Sequence, residues 1–561
     1  MNLKRPSLGA RVVAPGRCEF RVWSPSRERV ELRIVAPRQR TIAMSRDAGG
    51  YHEAVVDAGE GARYYYVLDG VQRPDPASRF QPVGVHGASE VVDSTFDWHD
   101  AHWKGLALQD FVIYELHVGT FTPQGTLDAI IPRLDALENL GITAIALMPI
   151  GQFPGDRNWG YDGTYISAVQ NSYGGPRALK RLIDAAHQRG LAVVLDAVYN
   201  HLGPEGNYLR EFGPYFTDRY KTAWGEALNF DGAHSDDVRW FFIHNALMWI
   251  DEFHVDALRV DAVHAIVDHS AEPFLQDLTT AVRQAGRPAY SIAESNLNDP
   301  RVITPKAAYG LGFDTQWSDD VHHALHTLLT GEKAGYYIGY GAASDLARVM
   351  STGYLYVGQH SVYRGRKYGV KPNTTDGAQF VVFAQNHDQV GNRMHGERLS
   401  TLVSPEKLRL AAAVVVLSPF LPMLFMGEEY GETAPFQYFT SHSDPGLIEA
   451  VRRGRREEFE DFEWVGEAPD PHDHETFRRS KLNWREDGPL RDLYRDLLRL
   501  RRELFRDLDL GKVETWADDT RRLVTVRRGH VLVAFNFSDS PQCVEGVAVP
   551  PWDFAVERAK E

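Results

Sequence analysis

From about residue 110 the chain alternates short apolar runs with longer stretches whose apolar residues recur at helical spacing. The apolar runs, which we predict to be strands, are 111–114, 144–148, 191–195, 257–260, 291–293, 380–384 and 421–426. The stretches predicted to be helices are 126–140, 179–187, 238–253, 273–284 and 407–417. Repeated strand–helix units favour a parallel sheet with right-handed crossovers. The pattern therefore predicts a (β/α)8 barrel with insertions.

The two ends of the chain show a different pattern. Near the start, residues 18–23, 29–35 and 63–68 alternate apolar and polar positions, which is typical of a small β-sandwich. Near the end, a charged helical stretch at 490–504 is followed by β segments at 522–526 and 531–537. We therefore predict an α/β protein in four parts. These parts are an N-terminal β-sandwich at 1–95, a connector at 96–109, the barrel at 110–485 and a C-terminal β domain at 486–561.

An open, doubly wound sheet is the alternative to the barrel, and the lack of a glycine-rich dinucleotide loop disfavours it. The 561 residues exceed what one hydrophobic core supports. A net charge of −15 disfavours nucleic acid and anionic membranes as partners. Two cysteines exclude a disulfide framework, and no apolar stretch has the length of a signal peptide or membrane span. We expect a soluble, cytoplasmic protein without a cofactor.

Polar and ionisable residues stand at the carboxyl ends of four predicted strands. They are Asp196, Asn200 and His201 after the third run, Arg259 and Asp261 at the end of the fourth, Glu294 after the fifth, and His387 with Asp388 after the sixth. In a (β/α)8 barrel this end of the strands is the catalytic face. Each group alone has a structural explanation as a turn cap, an ion pair or a buried histidine. Because an unpaired buried charge costs several kcal/mol, four groups at equivalent strand ends favour a functional site.

The same segments resemble a known family. Segments 196–201, 257–264, 292–295 and 385–388 resemble, in order and spacing, the four signature regions of the α-amylase superfamily, and 158–162 resembles its additional motif. The N-terminal segment is similar to the β-sandwich that precedes the barrel in branching and debranching enzymes. The resemblance implies a retaining glycoside hydrolase.

The resemblance also assigns roles to the acidic residues. It implies Asp261 as the nucleophile, Glu294 as the general acid and base, and Asp388 as the carboxylate that stabilises the transition state. In a retaining glycosidase the first two carboxyls lie about 5–5.5 Å apart. We expect Glu294 to hold a proton because two carboxylates lie near it. We expect Arg259 to keep the nucleophile ionised.

Further residues are implied to bind substrate. His201 and His387 would hydrogen-bond sugar hydroxyls, and Tyr161 would stack beneath a sugar ring. Asp196 would organise the pocket, and Trp224 would serve either a neighbouring subsite or loop packing. We see no convincing cluster of oxygen ligands, so no metal is expected.

Longer segments narrow the resemblance to the subfamily that acts on trehalose-capped malto-oligosaccharides. They are 74–82, 171–176, 203–208, 293–300, 385–392 and 425–430. This resemblance implies cleavage of the α-1,4 bond next to the terminal trehalose of maltooligosyltrehalose, and maltooligosyltrehalose synthase as the upstream partner.

The chain departs from the general superfamily pattern after the nucleophile. His264 and Ala265 stand where Lys and His are common, so contacts to the leaving group would differ. The alternatives are a 1,4-α-glucan branching enzyme, which His264 disfavours, and a non-catalytic glucan-binding protein, which would lack one of the three carboxylates.

Overall fold

A closed barrel of eight parallel strands forms the centre of the computed structural model, which describes residues 5–372, 377–458, 466–485, 488–505 and 512–558. Chain order equals order around the barrel, and the first strand pairs with the last, Ile113 opposite Met423. Strands 1 to 8 are Ile113–Leu116, Ala144–Leu147, Ala192–Ala197, Ala257–Val260, Tyr290–Ala293, Thr315–Trp317, Phe380–Val382 and Leu421–Phe425. The predicted (β/α)8 barrel is confirmed.

Burial explains why seven of these strands appear in the sequence as apolar runs. Every residue of strands 1 to 4 is buried, because side chains point either into the barrel or against the surrounding helices. Strand 6 was not predicted, since it has three residues and two of them are polar. Its Gln316 is buried with both ends of its amide bonded, donating to the Ser295 carbonyl at 3.3 Å and accepting from the Tyr354 hydroxyl at 3.0 Å.

The helices surround the barrel and fill its loops. They are Val118–Phe121, Leu127–Ile130, Leu134–Leu140, Gly175–His187, Leu209–Phe212, Ser235–Asp251, Phe274–Arg283, Asp319–Thr330, Ala343–Thr352, His387–Gly391, Leu399–Leu402, Pro405–Val416, Pro445–Glu457, His474–Arg479 and Pro489–Phe505. The prediction of one continuous helix at 126–140 is wrong. The segment forms two helices separated by a 3₁₀ turn, Ile131–Arg133, because Pro132 supplies no backbone N–H.

Three small antiparallel pairs extend the loops around the barrel. Their strands are Gly151–Gln152 with Tyr165–Val169, Phe216–Thr222 with Gly225–Leu228, and His360–Ser361 with Arg366–Lys367. The second pair is a hairpin whose turn carries Trp224.

Two antiparallel sheets form the predicted N-terminal sandwich. One contains Gly9–Ala14, Arg17–Trp23, Ser45–Arg46 and Tyr51–Asp57, and the other Val30–Ala36, Arg40–Ala43, Arg63–Leu68, Val71–Arg73 and Ser89–Glu90. The sandwich contacts the loop after barrel strand 3. There the Ser24 hydroxyl donates to the Phe212 carbonyl at 2.8 Å, and Trp23 meets Tyr215 edge to face at 5.3 Å.

The C-terminal part is also antiparallel. Its main sheet contains Glu514–Asp518, Leu523–Arg528, Val531–Asn536 and Phe554–Arg558, and a smaller pair is Gln542–Val544 with Val547–Val549. The preceding helix, Pro489–Phe505, packs on the barrel, where Arg501 donates to the Val416 and Ser418 carbonyls at 2.8 Å.

The predicted boundaries between the four parts stay predictions, and the one at 485/486 falls partly on residues outside the described ranges. No helix within the described ranges has the length and apolar character of a membrane span.

Candidate active site

A cluster of charged side chains occupies the rim formed by the carboxyl ends of the barrel strands. The predicted residues Asp196, Arg259, Asp261, Glu294, His387 and Asp388 all lie at this rim. Asp196 and Arg259 are the penultimate residues of strands 3 and 4, Asp261 and Glu294 directly follow strands 4 and 5, and His387 and Asp388 begin the helix after strand 7.

Arg259 is the cation at the centre of the cluster. Its Nη1 donates to Asp196 Oδ2 at 2.6 Å and to Asp261 Oδ1 at 2.9 Å, and its Nη2 donates to Glu294 Oε2 at 2.8 Å. The guanidinium also lies over the Trp317 ring, 4.3 Å from its centre. The side chain is only 2% exposed, so these charge-assisted bonds form away from bulk water. One arginine therefore fixes three carboxylates from three adjacent strands.

The turn after strand 4 orients two of these carboxylates. The Asp261 amide still donates to the Ala197 carbonyl of strand 3, at 3.1 Å. Ala262 then takes a left-handed conformation with φ 39°, which is uncommon for a residue with a Cβ. In this conformation its N–H donates to Glu294 Oε2 at 2.8 Å. A strained backbone at this point supports a functional role for the turn.

Asp261 and Glu294 compete for one proton. Burial and the charge of Glu294 raise the pKa of Asp261 well above its usual range. Burial also raises the pKa of Glu294, but Arg259 and the Ala262 N–H outweigh burial and lower it overall. The surroundings therefore favour the charged form of Glu294 and the neutral form of Asp261. The expectation that Glu294 holds the proton during the reaction stays a prediction.

His387 lies beside the carboxylate cluster and is held by Glu115 of strand 1. Its backbone N–H donates to Glu115 Oε2 at 2.9 Å, and its Nδ1 lies 2.6 Å from Glu115 Oε1. Its Nε2 lies 2.7 Å from the Tyr161 hydroxyl and 3.5 Å from Asp388 Oδ2. Burial alone would lower the pKa of His387, but Asp388 and Glu115 raise it to about 9. The ring is therefore charged near neutral pH.

Tyr161 connects the histidine to the arginine. Its hydroxyl donates to Asp196 Oδ2 at 2.7 Å and accepts from Arg259 Nη1 at 3.2 Å. Its ring stacks on His387, with centres 5.3 Å apart and planes 21° apart. The second carboxylate oxygen of Asp196 is buried without a hydrogen-bond partner among the described residues. These contacts make Tyr161 and Asp196 part of the frame of the pocket.

Asp388 is more exposed to solvent than Asp261 and Glu294. It lies in the first turn of the helix His387–Gly391, whose N-cap Asn386 accepts the Gln389 N–H at 2.9 Å. Its side chain is 35% exposed, so it faces the open cleft. Burial raises its pKa, and Glu294 adds to this, while His387 opposes it.

His201 and Trp224 form one edge of the cleft. The two rings stack almost flat, with centres 4.7 Å and planes 4° apart. His201 Nε2 bonds to the Tyr161 carbonyl at 2.9 Å, which fixes the ring. Trp224 lies in the turn between the strands Phe216–Thr222 and Gly225–Leu228 and is 50% exposed. An exposed tryptophan held on a fixed ring is a suitable platform for a sugar.

His264 lies beside Glu294, since the N–H of the adjacent Val263 donates to the Glu294 carbonyl at 3.0 Å. Its pKa is lowered by burial, although the Glu294 charge and backbone oppose this, so the ring is neutral. Its Nδ1 is buried with no hydrogen-bond partner among the described residues.

Two site residues were not predicted from the sequence. Glu115 directly follows the predicted strand 111–114, so the rule that found the other acids could have found it. Asp319 begins the helix after strand 6, and no apolar run marks that strand. No group of three or more metal-binding side chains occurs in the part of the chain that the structure describes.

The chemistry available to this cluster follows from its neighbouring carboxyls. One ionised and one protonated carboxyl supply a nucleophile and a general acid, which retaining glycosidases require. The positive charges of Arg259 and His387 flank the pair and limit the repulsion between the acids.

Comparisons with known proteins agree with this chemistry. The family model for the alpha amylase catalytic domain matches residues 93–246, and carbohydrate-binding module 48 (isoamylase N-terminal domain) matches residues 7–79. The malto-oligosyltrehalose trehalohydrolase of Saccharolobus solfataricus is 49% identical over 527 residues, which are 93% of this chain and 91% of that protein. A solved structure described as an alpha amylase of Salmonella typhimurium has a TM-score of 0.91 and 36% identity, covering 99% of this chain and 100% of its own.

A more distant relative bears on the alternative. The 1,4-alpha-glucan branching enzyme of Bacillus caldolyticus is 29% identical over 485 residues, which are 76% of this chain and 66% of that enzyme. Both its identity and its coverage are lower than those of the trehalohydrolase.

Proposed function

The chain belongs to the malto-oligosyltrehalose trehalohydrolase family, and we propose that Asp261, Glu294 and Asp388 carry its reaction. The enzyme is a glycoside hydrolase that cleaves the α-1,4 bond joining a malto-oligosaccharide to its terminal trehalose unit. The observation that carries the residue assignment is the shared guanidinium of Arg259, which holds Asp261 and Glu294 at 2.9 and 2.8 Å.

In the proposed first step, Asp261 attacks the anomeric carbon while Glu294 protonates the glycosidic oxygen. The C–O bond to trehalose breaks, trehalose leaves with the proton, and a glycosyl ester forms on Asp261. In the second step, Glu294 takes a proton from water, the oxygen of that water attacks the anomeric carbon, and the malto-oligosaccharide is released. Two displacements at one carbon retain the α configuration.

The first step needs Asp261 ionised and Glu294 protonated, whereas their surroundings raise the pKa of Asp261 and lower that of Glu294. We infer that the sugar, by contacting Glu294 through its glycosidic oxygen, favours the proton on Glu294. Arg259 bonds to both acids, so it accommodates either distribution of charge.

The remaining predicted residues would bind the sugar that becomes attached to Asp261. Charged His387 and Asp388 would hydrogen-bond its ring hydroxyls, and Asp388 would favour the positive charge that develops at the anomeric carbon. Tyr161 would lie beneath the ring, and the His201–Trp224 stack would contact the next sugar along the chain.

His264 would contact the leaving trehalose. It lies next to Glu294, which protonates the leaving oxygen, and its buried Nδ1 has no hydrogen-bond partner among the described residues. Asp196 would hold Arg259 and Tyr161 in place without touching the substrate.

The proposal includes an upstream partner and a cellular location. Its substrate carries an α,α-1,1 bond at one end, which a maltooligosyltrehalose synthase would have to form from a plain malto-oligosaccharide. A cytoplasmic location would place the enzyme with such glucans. A strain lacking the gene for this enzyme should accumulate trehalose-capped oligosaccharides in its cytoplasmic extract, and capped chains confined to the medium would contradict that location.

Product analysis tests the proposed function. Purified enzyme incubated with maltotriosyltrehalose should release trehalose and maltotriose in equal amounts. Plain maltopentaose serves as the control and should react more slowly. If maltotriosyltrehalose is left intact while amylose acquires α-1,6 branches, the enzyme is a branching enzyme and the proposal is refuted.

A further inference from the structure

Asp319 is an acid at the catalytic rim for which neither the reaction nor the fold has yet supplied a role. It follows strand 6 and begins the helix Asp319–Thr330. Strand 6 lies between strands 5 and 7, so Asp319 stands between Glu294 and Asp388 around the barrel. Within the described ranges, its carboxyl makes no hydrogen bond or ion pair.

The adjacent Asp320 has a structural role, which its hydrogen bonds show. Asp320 accepts the Asn298 side-chain N–H at 2.7 Å, the Leu355 backbone N–H at 2.6 Å and the Tyr340 hydroxyl at 2.5 Å. These three bonds tie the helix to the loops around it. Asp319 has no comparable bond, although it is also partly buried, so the fold alone does not account for it.

The surroundings of Asp319 keep its carboxyl neutral. Burial, followed by the negative charges of Glu294 and Asp388, raises the pKa of Asp319 to about 8. A neutral carboxyl gains little from the start of a helix, which favours negative charge there. It carries one O–H donor and free acceptor oxygens, which together match the hydroxyl of a sugar.

The position of Asp319 indicates which sugar it would meet. The start of its helix contacts the loop that follows Glu294, because the adjacent Asp320 accepts from the side chain of Asn298, four residues after Glu294, at 2.7 Å. Asp319 therefore lies beside the wall of the cleft that continues from Glu294. Since Glu294 protonates the leaving oxygen, this wall borders the leaving group.

We propose that Asp319 is a substrate-binding residue that hydrogen-bonds a hydroxyl of the leaving trehalose unit beside Glu294. The assignment rests on the proposed function, because it takes Glu294 as the group that protonates the trehalose oxygen. It gives the enzyme a residue that distinguishes trehalose-capped from plain oligosaccharides.

The test compares Asp319→Ala, Asp319→Asn and wild-type enzyme on maltotriosyltrehalose and on maltopentaose. The alanine variant should lose about 10-fold or more in kcat/KM on the capped substrate and less than about 3-fold on maltopentaose, because one sugar hydrogen bond is lost. Inhibition by added trehalose should weaken by a similar factor. The asparagine variant should stay close to wild type, since its amide also offers a donor and an acceptor.

Asp320→Asn is the matched control. It should lower the temperature of unfolding and leave the ratio of the two kcat/KM values unchanged. Should Asp319→Ala not fold, Asp319→Ser shortens the side chain while keeping it polar, and the same loss of selectivity is expected.

The proposal is overturned if Asp319→Ala or Asp319→Ser lowers kcat/KM equally on both substrates. It is also overturned if trehalose inhibits the variant as strongly as it inhibits wild-type enzyme. A failure of the proposed function would look different, because wild-type enzyme would then release no trehalose at all.

Discussion

The two ends of the barrel both bury carboxylates beside histidines, but they treat the charges differently. At the amino end of the strands, Asp100 accepts His187 Nδ1 at 2.9 Å and His254 Nδ1 at 2.7 Å. The other nitrogen of His187 bonds to Asp256 at 2.9 Å, and Trp103 Nε1 donates to the same carboxylate at 2.7 Å. We call these residues the Asp100 cluster. Each of its acids has a histidine partner.

At the carboxyl end, by contrast, the acids outnumber their partners, and this changes the direction of the pKa shifts. At the amino end, burial alone would raise the pKa of Asp100, but its bonds to His187 and His254 lower it. At the catalytic rim the balance is reversed, since burial and nearby carboxylates raise the pKa of Asp261 and Asp388. Paired charges hold a fold together, whereas crowded like charges leave groups ready to gain or lose protons. Burial of an acid therefore does not by itself identify a catalytic site. A catalytic site is identified by buried acids that outnumber the cationic partners beside them.

The largest effect is expected from a substitution that disables the catalytic rim and leaves the Asp100 cluster intact. Asp261→Asn removes the nucleophile, and kcat on maltotriosyltrehalose should fall on the order of 10⁴-fold or more. The temperature of unfolding should stay the same or rise, because a crowded acid has been removed. Initial rates and thermal unfolding measure both effects. Turnover within about 10-fold of wild type would reject Asp261 as the nucleophile.

The opposite experiment disables the Asp100 cluster. His187→Ala leaves Asp100 and Asp256 without their shared partner, and the free energy of unfolding should fall by about 3–5 kcal/mol. The kcat of the folded variant should stay within about twofold of wild type, since the substitution lies at the far end of the strands. Urea unfolding followed by tryptophan fluorescence gives the first quantity. A large loss of kcat with unchanged stability would show that the two ends do not differ as described.

A third experiment changes the charge balance within the rim. Glu115 helps to raise the pKa of His387 to about 9, so Glu115→Gln should lower that pKa. The alkaline limb of the kcat/KM profile should then move to lower pH by about one unit. Superimposable profiles for Glu115→Gln and wild-type enzyme would show that His387 does not set that limb.

The sign of the accompanying stability effect follows from the direction of the shift. The folded state raises the pKa of His387 above its ordinary value of about 6.5, so the stabilisation is complete below that pH and is lost as pH rises through about 9. Wild-type enzyme should therefore lose more stability than Glu115→Gln between pH 6 and pH 9.5, as measured by thermal unfolding.

The smallest expected effect is at the edge of the cleft. Trp224→Ala removes an exposed stacking surface, and KM for maltotriosyltrehalose should rise about 5-fold with kcat nearly unchanged. Trp224→Phe keeps a flat ring and is the control, with a smaller rise. If both variants bind substrate as wild type does, Trp224 only packs the hairpin.

The sequence predicted the barrel well because its strands are buried on both faces. Such strands appear as uninterrupted apolar runs, and an ionisable residue just beyond each run is easy to recognise. Asp196, Asp261 and Glu294 were found in this way. Strand 6 escaped because it is short and its polar Gln316 is bonded by distant segments, which no local pattern reveals.

The stabilisation of charge on Glu294 could not be predicted from the sequence. Proximity of other acids suggested a raised pKa for Glu294, whereas its surroundings lower it. The structure shows that the Ala262 N–H, released by a left-handed turn, joins Arg259 in stabilising the charge on Glu294. That outcome depends on one backbone angle, which sequence motifs do not contain. The same limit applies to Asp319, whose position depends on the unpredicted strand.

In the proposed reaction Asp261 becomes bonded to the sugar, and trapping that bond tests the assignment most directly. A 5-fluoro-α-glucosyl fluoride carries a good leaving group, and its ring fluorine slows hydrolysis of the ester that forms. Wild-type enzyme treated with this reagent and digested should yield one peptide heavier by a single fluoroglucosyl group, with the modification on Asp261. A modification on Glu294 or Asp388, or release of fluoride without any labelled peptide during turnover, would contradict the account.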